Sequence, residues 1–237
     1  MIRLGINIDH VATLRNARGE NHPNIVYSAK KVMDSGASLI TIHLREDRRH
    51  IKEFDLRELT KRKIPINLEM AANKEMLKIA LKYMPNYICI VPEKRNEITT
   101  EGGLDLKKNF INLRKIVNKL NDKKIRTSLF IDPSLKNIKL SKLIKSKCVE
   151  IHTGKISRLV KNNKNYKNEL KKIRDCVNYA TTLGIEVHAG HGLDYKTAKI
   201  MSNIKNIKEF NIGHFIIGES TFIGLPKVIK NFKKIIK

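Results

Sequence analysis

The sequence predicts an α/β chain folded as a (β/α)8 TIM barrel, a single domain over residues 1–237 with extra short helices. Three observations carry this expectation. Eight short runs rich in Ile, Val and Leu recur at 4–9, 39–44, 66–71, 87–92, 126–132, 148–153, 186–191 and 209–217, each of strand length. Segments of helical periodicity separate them. The 237 residues also match the ~250 that eight β/α units typically occupy. The alternative, an open doubly wound sheet, normally places a G-x-G-x-x-G turn after its first strand, whereas here that position reads DHVATLRNARGE.

The elements follow in order. The first run carries Asn7 and Asp9 and ends at His10, and a helix over 24–35 closes at Gly36. The second carries His43 and Arg45, with a short, weakly patterned helix over 53–61 behind it. The third carries Asn67 and Glu69. Asn73, three residues before Met76, supplies the entry chemistry for a helix over 73–84. The fourth leads into Pro92-Glu93-Lys94-Arg95 and a helix over 105–121, and the fifth ends at Asp132 before a helix over 135–146. The sixth carries Glu150 and His152. The stretch 154–168 (GKISRLVKNNKNYKN) is polar enough to read as a mobile loop, followed by a helix over 166–183 ended by Gly184. The seventh run gives His188 and His191 in HAGHG, and Asp194 precedes a helix over 194–204. The eighth gives Asn211 and His214 in NIGHF, and a helix spans 219–236.

Composition narrows the function classes. The net charge of +25 would attract any polyanion, but the lysines are spread over almost every helix and alternate with Ile and Leu, the pattern of solvated surfaces. With aromatics at only 5% and no Trp, there are few platforms for stacking bases, so no dedicated nucleic-acid partner is expected. No apolar run is long enough to span a membrane, and MIRLGINIDH lacks the build of a signal peptide, so a cytoplasmic location without a membrane partner is expected. Cys89, Cys148 and Cys176 are odd in number and far apart, which argues against a disulfide framework or structural zinc.

In a barrel, chemistry sits at the C-terminal ends of the strands. Polar residues two apart, as in N-x-D, H-x-R, N-x-E and E-x-H, share one face of a strand. On the lumen face near the strand ends, such pairs converge on one pocket. Glu69, between Leu68 and Met70, sits in an apolar setting that should raise its pKa toward that of a general base, and His43 and His191 can exchange protons near neutral pH. The glycine-bearing stretches AGHGL (189–193) and GHFIIG (213–218), the second leading to a helix start at Glu219-Ser220, follow strands seven and eight, where barrels commonly bind phosphate through backbone N–H groups. The histidines form neither H-x-H nor H-E-x-x-H, and no metal or other cofactor is expected.

Taken together, NIDHVATLRNARG, ITIHLREDRRHI, INLEMA, VPEKRNEITTEGGLD, SLFID, EIHTG, AGHGLDY and NIGHFIIG resemble the pyridoxine 5′-phosphate synthase family of deoxyxylulose-dependent vitamin B6 biosynthesis. The resemblance runs from residue 5 to about residue 224 and is weakest in the helices and at 154–168, while His188 stands where Asn is usual in the family. It implies a barrel that joins 3-amino-2-oxopropyl phosphate to 1-deoxy-D-xylulose 5-phosphate, giving pyridoxine 5′-phosphate, inorganic phosphate and water. It implies His43 and Glu69 as proton acceptors and His191 as a proton donor. It assigns the aminoketone phosphate to Asn7, Arg18, Gly192, Gly213 and His214, and the deoxyxylulose phosphate to Asp9, His10, Arg45, His50 and Thr99. A homo-oligomer, an octamer built from dimers, is implied as well.

The chemistry fits the residues. Condensation, phosphate loss, ring closure and dehydration need repeated proton transfers and no redox step, which several acid/base groups in one closed pocket can supply. Two phosphorylated substrates need two anion sites, and an Arg/His set beside glycine turns can provide them. Intermediates must be shielded from water, so a lid is expected, with the segment 93–103 as candidate hinge. The competing classes are a metal-dependent barrel hydrolase and a basic nucleic-acid-binding protein.

Overall fold

The computed structural model describes residues 1–93 and 102–236. Eight parallel strands close into a barrel in sequence order: β1 (Arg3–Asn7), β2 (Leu39–His43), β3 (Ile66–Met70), β4 (Tyr87–Ile90), β5 (Arg126–Ile131), β6 (Cys148–His152), β7 (Glu186–Gly190) and β8 (Ile207–Ile212). β8 returns to β1 through the pairs Arg3↔Glu209 and Gly5↔Asn211. The predicted barrel is the observed one.

The two faces of each strand have different chemistry. Outward residues such as Ile6, Ile40, Ile42, Leu68, Ile88, Ile90, Leu129, Val149 and Ile151 are fully buried under the helices. Inward residues are largely polar, among them Thr41, Asn67, Glu150, His188, Glu209 and Asn211, with a small apolar cluster of Cys89, Val91 and Phe130 between β4 and β5. Both faces being covered, the strands read as near-continuous buried runs.

The outer layer is α1 (Asp9–Arg18), α2 (Ile25–Asp34), α3 (Glu53–Lys61), α4 (Lys74–Tyr83), α5 (Phe110–Asp122), α6 (Leu135–Ile144), α7 (Gly154–Lys161), α8 (Lys167–Thr182), α9 (Tyr195–Ser202), α10 (His214–Ile223) and α11 (Leu225–Ile235). Local chemistry starts several of them. Asn73 Oδ1 accepts the Met76 N–H at 2.8 Å and Asp194 Oδ1 that of Thr197 at 2.8 Å, the entries expected from sequence.

Four local expectations are corrected. Residues 9–18, where the sequence predicts no helix, form α1; its first turn spends Asp9 and His10 on the site, which blurs its apolar periodicity. Residues 154–168 are mostly helical, because Ile156 and Val160, four apart, bury one side of α7 beneath its polar surface. The eighth strand stops at Ile212 rather than 217, and α10 begins at His214 rather than at Glu219-Ser220. The single helix expected over 219–236 is two, broken at Gly224 (φ +81°) with Pro226 in the first turn of α11.

The barrel floor holds an ion lattice. Glu209, 1% exposed, receives Arg3 Nε at 2.9 Å and Arg126 Nη2 at 3.1 Å, and lies 3.4 Å from His188 Nδ1. Glu186 pairs with Arg3, with Arg126 at 2.8 Å and with His188 Nε2 at 2.8 Å. Its carboxyl is held down at about 2 by the His188 hydrogen bond and by Arg3, against burial. His188, to which the sequence assigns no role, therefore belongs to the floor, while His191 of the same run lies at the strand ends.

Candidate active site

The pocket at the strand ends starts with β1. Asn7 fastens the turn into α1: its Nδ2 donates to Asp9 Oδ2 and its Oδ1 accepts the Asp9 backbone N–H, both at 2.9 Å. Asp9 Oδ1 in turn accepts the backbone N–H of His43 at 2.9 Å, joining β1 to β2. Burial raises the Asp9 carboxyl above its ordinary range, opposed by His43, Asn7 and Arg45.

His43 stands between two carboxylates. Its Nδ1 lies 3.7 Å from Glu69 Oε2 and its Nε2 3.5 Å from Glu93 Oε2. Arg45 Nε lies 3.6 Å from Glu93 Oε1, which also accepts the Glu46 backbone N–H at 2.8 Å. These side-chain separations suit ion pairs rather than full hydrogen bonds. His43 Nε2, Arg45 Nε and Nη2, and Glu93 Oε2 are buried without a hydrogen bond among the described residues. Buried polar atoms are normally paired, so a cluster of unpaired ones marks where a polar ligand would be accommodated.

Glu69 is pushed well above the usual carboxylate range, first by burial, then by Glu150 and Asp9. The direction is the one expected from sequence. Burial is the leading cause, as expected, but Leu68 and Met70 alternate to the opposite face, so the barrel lumen supplies it, and the lumen carboxylates add to it. Glu150, on β6 inside the lumen, accepts Asn211 Nδ2 at 2.7 Å and lies 3.9 Å from Cys89 Sγ. It is raised to about 8, mainly by burial and, less strongly, by Glu209. Sequence reasoning placed neither Glu93 nor Glu150 among the site residues. The E-x-H spacing on strand six held the signal for Glu150, but Glu93 follows its strand with no spacing to mark it.

A second group is made of imidazoles. His10 Nε2 and His214 Nδ1 lie 3.4 Å apart with ring centroids at 5.0 Å, and His50 stacks on His10 at 6.4 Å. Thr13 Oγ1 is 2.8 Å from His50 Nδ1. Burial, then His10 and Arg45, lower His50 to about 4, while burial and His214 lower His10. Uncharged at neutral pH, His10 and His50 would take up protons beside an anion.

The glycine turns complete the rim. Gly213, immediately before α10, lies against Asn7, with its α-hydrogen side 2.9 Å from Asn7 Cβ as measured to an added Cβ. His191 and Gly192 both have left-handed backbones (φ +75° and +78°), a conformation a β-carbon disfavours and only a fixed environment maintains. Thr153 Oγ1 supplies part of it, lying 2.7 Å from both the Gly190 and His191 carbonyls. A cavity of about 450 Å³ beside this rim is lined by Gly192, Gly213, His214, Lys161 and Thr221, among others.

The structure thus brings Asn7, Asp9, His10, His43, Arg45, His50, Glu69, His191, Gly192, Gly213 and His214 to the strand-end side of the barrel. Arg18 does not join them. It ends α1, roughly 14 Å along the helix axis from Asp9 at 1.5 Å per residue, with its side chain 75% exposed and 3.8 Å from Glu20. Thr99 and most of the 93–103 segment lie outside the described residues. Asp9, His43 and Glu69 place donor atoms within 4.8 Å of one another, and Cys148, Glu186 and His188 do so at the floor. In both sets the carboxylates already have partners. Both Asp9 oxygens already accept hydrogen bonds, and Glu186 is bonded to two arginines.

A closed barrel whose mouth gathers acid/base groups, an arginine and glycine turns is a TIM-barrel enzyme acting on small anionic molecules. The family model described as pyridoxal phosphate biosynthesis protein PdxJ matches residues 4–237, and the chain belongs to that family. Among its relatives, the pyridoxine 5′-phosphate synthase of Pelagibacter ubique (strain HTCC1062) is 62% identical over 99% of both chains. That of Zymomonas mobilis is 50% identical over 98% of this chain and 90% of its own. Among solved structures, phosphoribosylanthranilate isomerase from Thermotoga maritima superposes with a TM-score of 0.61 over 100% of this chain and 98% of its own. At 13% identity, that likeness speaks to the fold alone.

Proposed function

We propose that this chain condenses 3-amino-2-oxopropyl phosphate with 1-deoxy-D-xylulose 5-phosphate to pyridoxine 5′-phosphate, inorganic phosphate and water. The observation that carries the reading is the buried file Asp9, His43, Glu69 and Glu93 at the mouth of a barrel whose full length matches synthases. Glu69 and His43 take protons from the substrates. Burial and the carboxylates around Glu69 make it a stronger base than an exposed glutamate. His191 gives a proton, with Asn7, Gly192, Gly213 and His214 holding the aminoketone phosphate beside it. Asp9, His10, Arg45, His50 and Thr99 hold the deoxyxylulose phosphate. Arg18, exposed at the end of α1, belongs to this binding set only through the resemblance.

The chain works in the cytoplasm as an octamer built from dimers and unfolds as one domain; light scattering tests the assembly, a single cooperative unfolding transition the domain, and cell fractionation the compartment. The activity is tested by incubating purified protein with both freshly made substrates in EDTA and following pyridoxine 5′-phosphate. Product formation is expected. Its absence from folded protein overturns the reading, and dependence on added metal would favour a metal-assisted barrel enzyme.

A further inference from the structure

His191 is the proposed proton donor, yet the groups around it oppose its charge. Burial comes first, followed by His152 on β6 and by Arg158 and Lys161 on α7, and together they lower it to about 4. The contact that organises this surrounding is His152. Its ring lies 4.9 Å from that of His191, tilted by 60°, and 5.3 Å from Phe130. Its Nδ1 is 3.0 Å from Asp132 Oδ1, and its side chain is 10% exposed. With Nδ1 directed to Asp132, Nε2 faces the α-carbon of Gly154, where an added Cβ would stand 2.6 Å from His152 Nε2 and 2.9 Å from His191 Cδ2. Glycine at 154 is thus what lets the two rings meet.

Asp132 is itself fixed. The His152 hydrogen bond, the Gly103 backbone N–H and, more weakly, Lys172 on α8 hold its carboxyl below the usual range against burial. Three strand ends and one helix start therefore converge on a single imidazole, through Asp132, His152, the 190–192 turn and Gly154.

We propose that Asp132 and His152 are a positioning pair for His191, orienting its ring and setting the local charge against which it binds its proton. The proposal rests on the reading of His191 as proton donor. His152 acts through His191 and is a positioning residue. Burial, His152, Arg158 and Lys161 keep His191 uncharged until a substrate phosphate arrives beside the two cations and offsets their field, so the donor is loaded in the complex rather than in the free protein.

The test uses full-length His152→Phe, which keeps a ring against Phe130 and His191 but removes the ring nitrogens and the bond to Asp132, and Asp132→Ala, which releases the His152 ring. The ring signals of His191 in isotope-labelled protein are titrated by NMR, and kcat and KM are measured separately. In His152→Phe the His191 midpoint is expected to move up toward the ordinary imidazole range. In both variants kcat should fall about 10-fold, with each KM within about 3-fold of the parent. An unmoved His191 midpoint, or unchanged kcat in both variants, overturns the proposal. If His152→Phe does not fold, His152→Asn, which can still bond Asp132 but has no ionisable ring, decides by the same readouts. Should the parent protein make no product while the midpoint still shifts, the synthase reading falls and the tuning of His191 stands.

Discussion

His43 Nδ1 and Glu69 Oε2 are 3.7 Å apart on neighbouring strands whose register pairs the two residues directly. Parallel pairing of β2 and β3 at this step places a histidine and a carboxylate side by side on the lumen face. Their roles then diverge through surroundings. Glu69 shares the lumen with Glu150 and Asp9, which oppose its ionisation, whereas His43 is bracketed by Glu69 and Glu93.

Replacing Glu69 by Gln should lower turnover by about 10²-fold or more while raising thermal stability at pH 8. The folded-state pKa is raised, so at pH 8 the folded chain carries an electrostatic cost that the unfolded chain does not, and the amide removes it. Each 1 kcal/mol recovered is worth roughly 2–4 °C in a chain of this size. Paired activity and melting measurements check it. A variant with the parent rate removes Glu69 from the mechanism, and an unchanged melting point at pH 8 contradicts the raised pKa.

Glu93→Ala should lower kcat/KM by about 10-fold or more, since it removes charge-assisted contacts to His43 and Arg45 and the acceptor of the Glu46 N–H. Steady-state kinetics of the folded variant decide. The parent rate would mean that Asp9, which accepts the His43 backbone N–H, and Asp47, whose Oδ1 lies 3.7 Å from Arg45 Nε, hold the two residues adequately.

Anion binding should take up protons. Because His50 is lowered to about 4 and His10 is also lowered, both are neutral at pH 7, and a bound dianion favours their charged forms. Sulfate, whose own charge is constant in this range, should bind more tightly at pH 6 than at pH 8. Calorimetry in buffers of different ionisation heat should show net proton uptake. Affinity independent of pH would mean that backbone groups and Arg45 alone hold the anion.

Glu209→Ala should destabilise the fold by about 3–5 kcal/mol, because Arg3, Arg126 and His188 lose their buried counter-charge. The parent itself should weaken in acid. Glu186 and Glu209 have depressed folded-state pKa values, so their stabilisation is present above about pH 4.5 and is lost as pH falls toward 2. Urea titrations at pH 6 and pH 3 measure both effects. A loss below about 1 kcal/mol for the variant would show that the lattice contributes little to stability.

Much of this molecule was written locally. Eight apolar runs, helix entries at Asn73 and Asp194, and polar residues at spacing two depend only on side-chain size, β-branching and the two-residue period of a strand, so the barrel and most of its mouth were legible. Where function and helix periodicity competed for the same residues, as at Asp9 and His10 in α1, or where polar surface hid a short buried face, as at Ile156 and Val160 in α7, the pattern misled. Only the tertiary structure decided which polar residues share a layer. His188 and His191 are three apart in the chain, yet one lies in the ion lattice of the floor and the other at the rim. Glu93 joined His43 and Arg45 across β3, and His152 joined His191 through the pairing of β6 with β7, because parallel strand ends lie side by side although about 40 to 50 residues separate them in the chain; sequence spacing has no access to that distance.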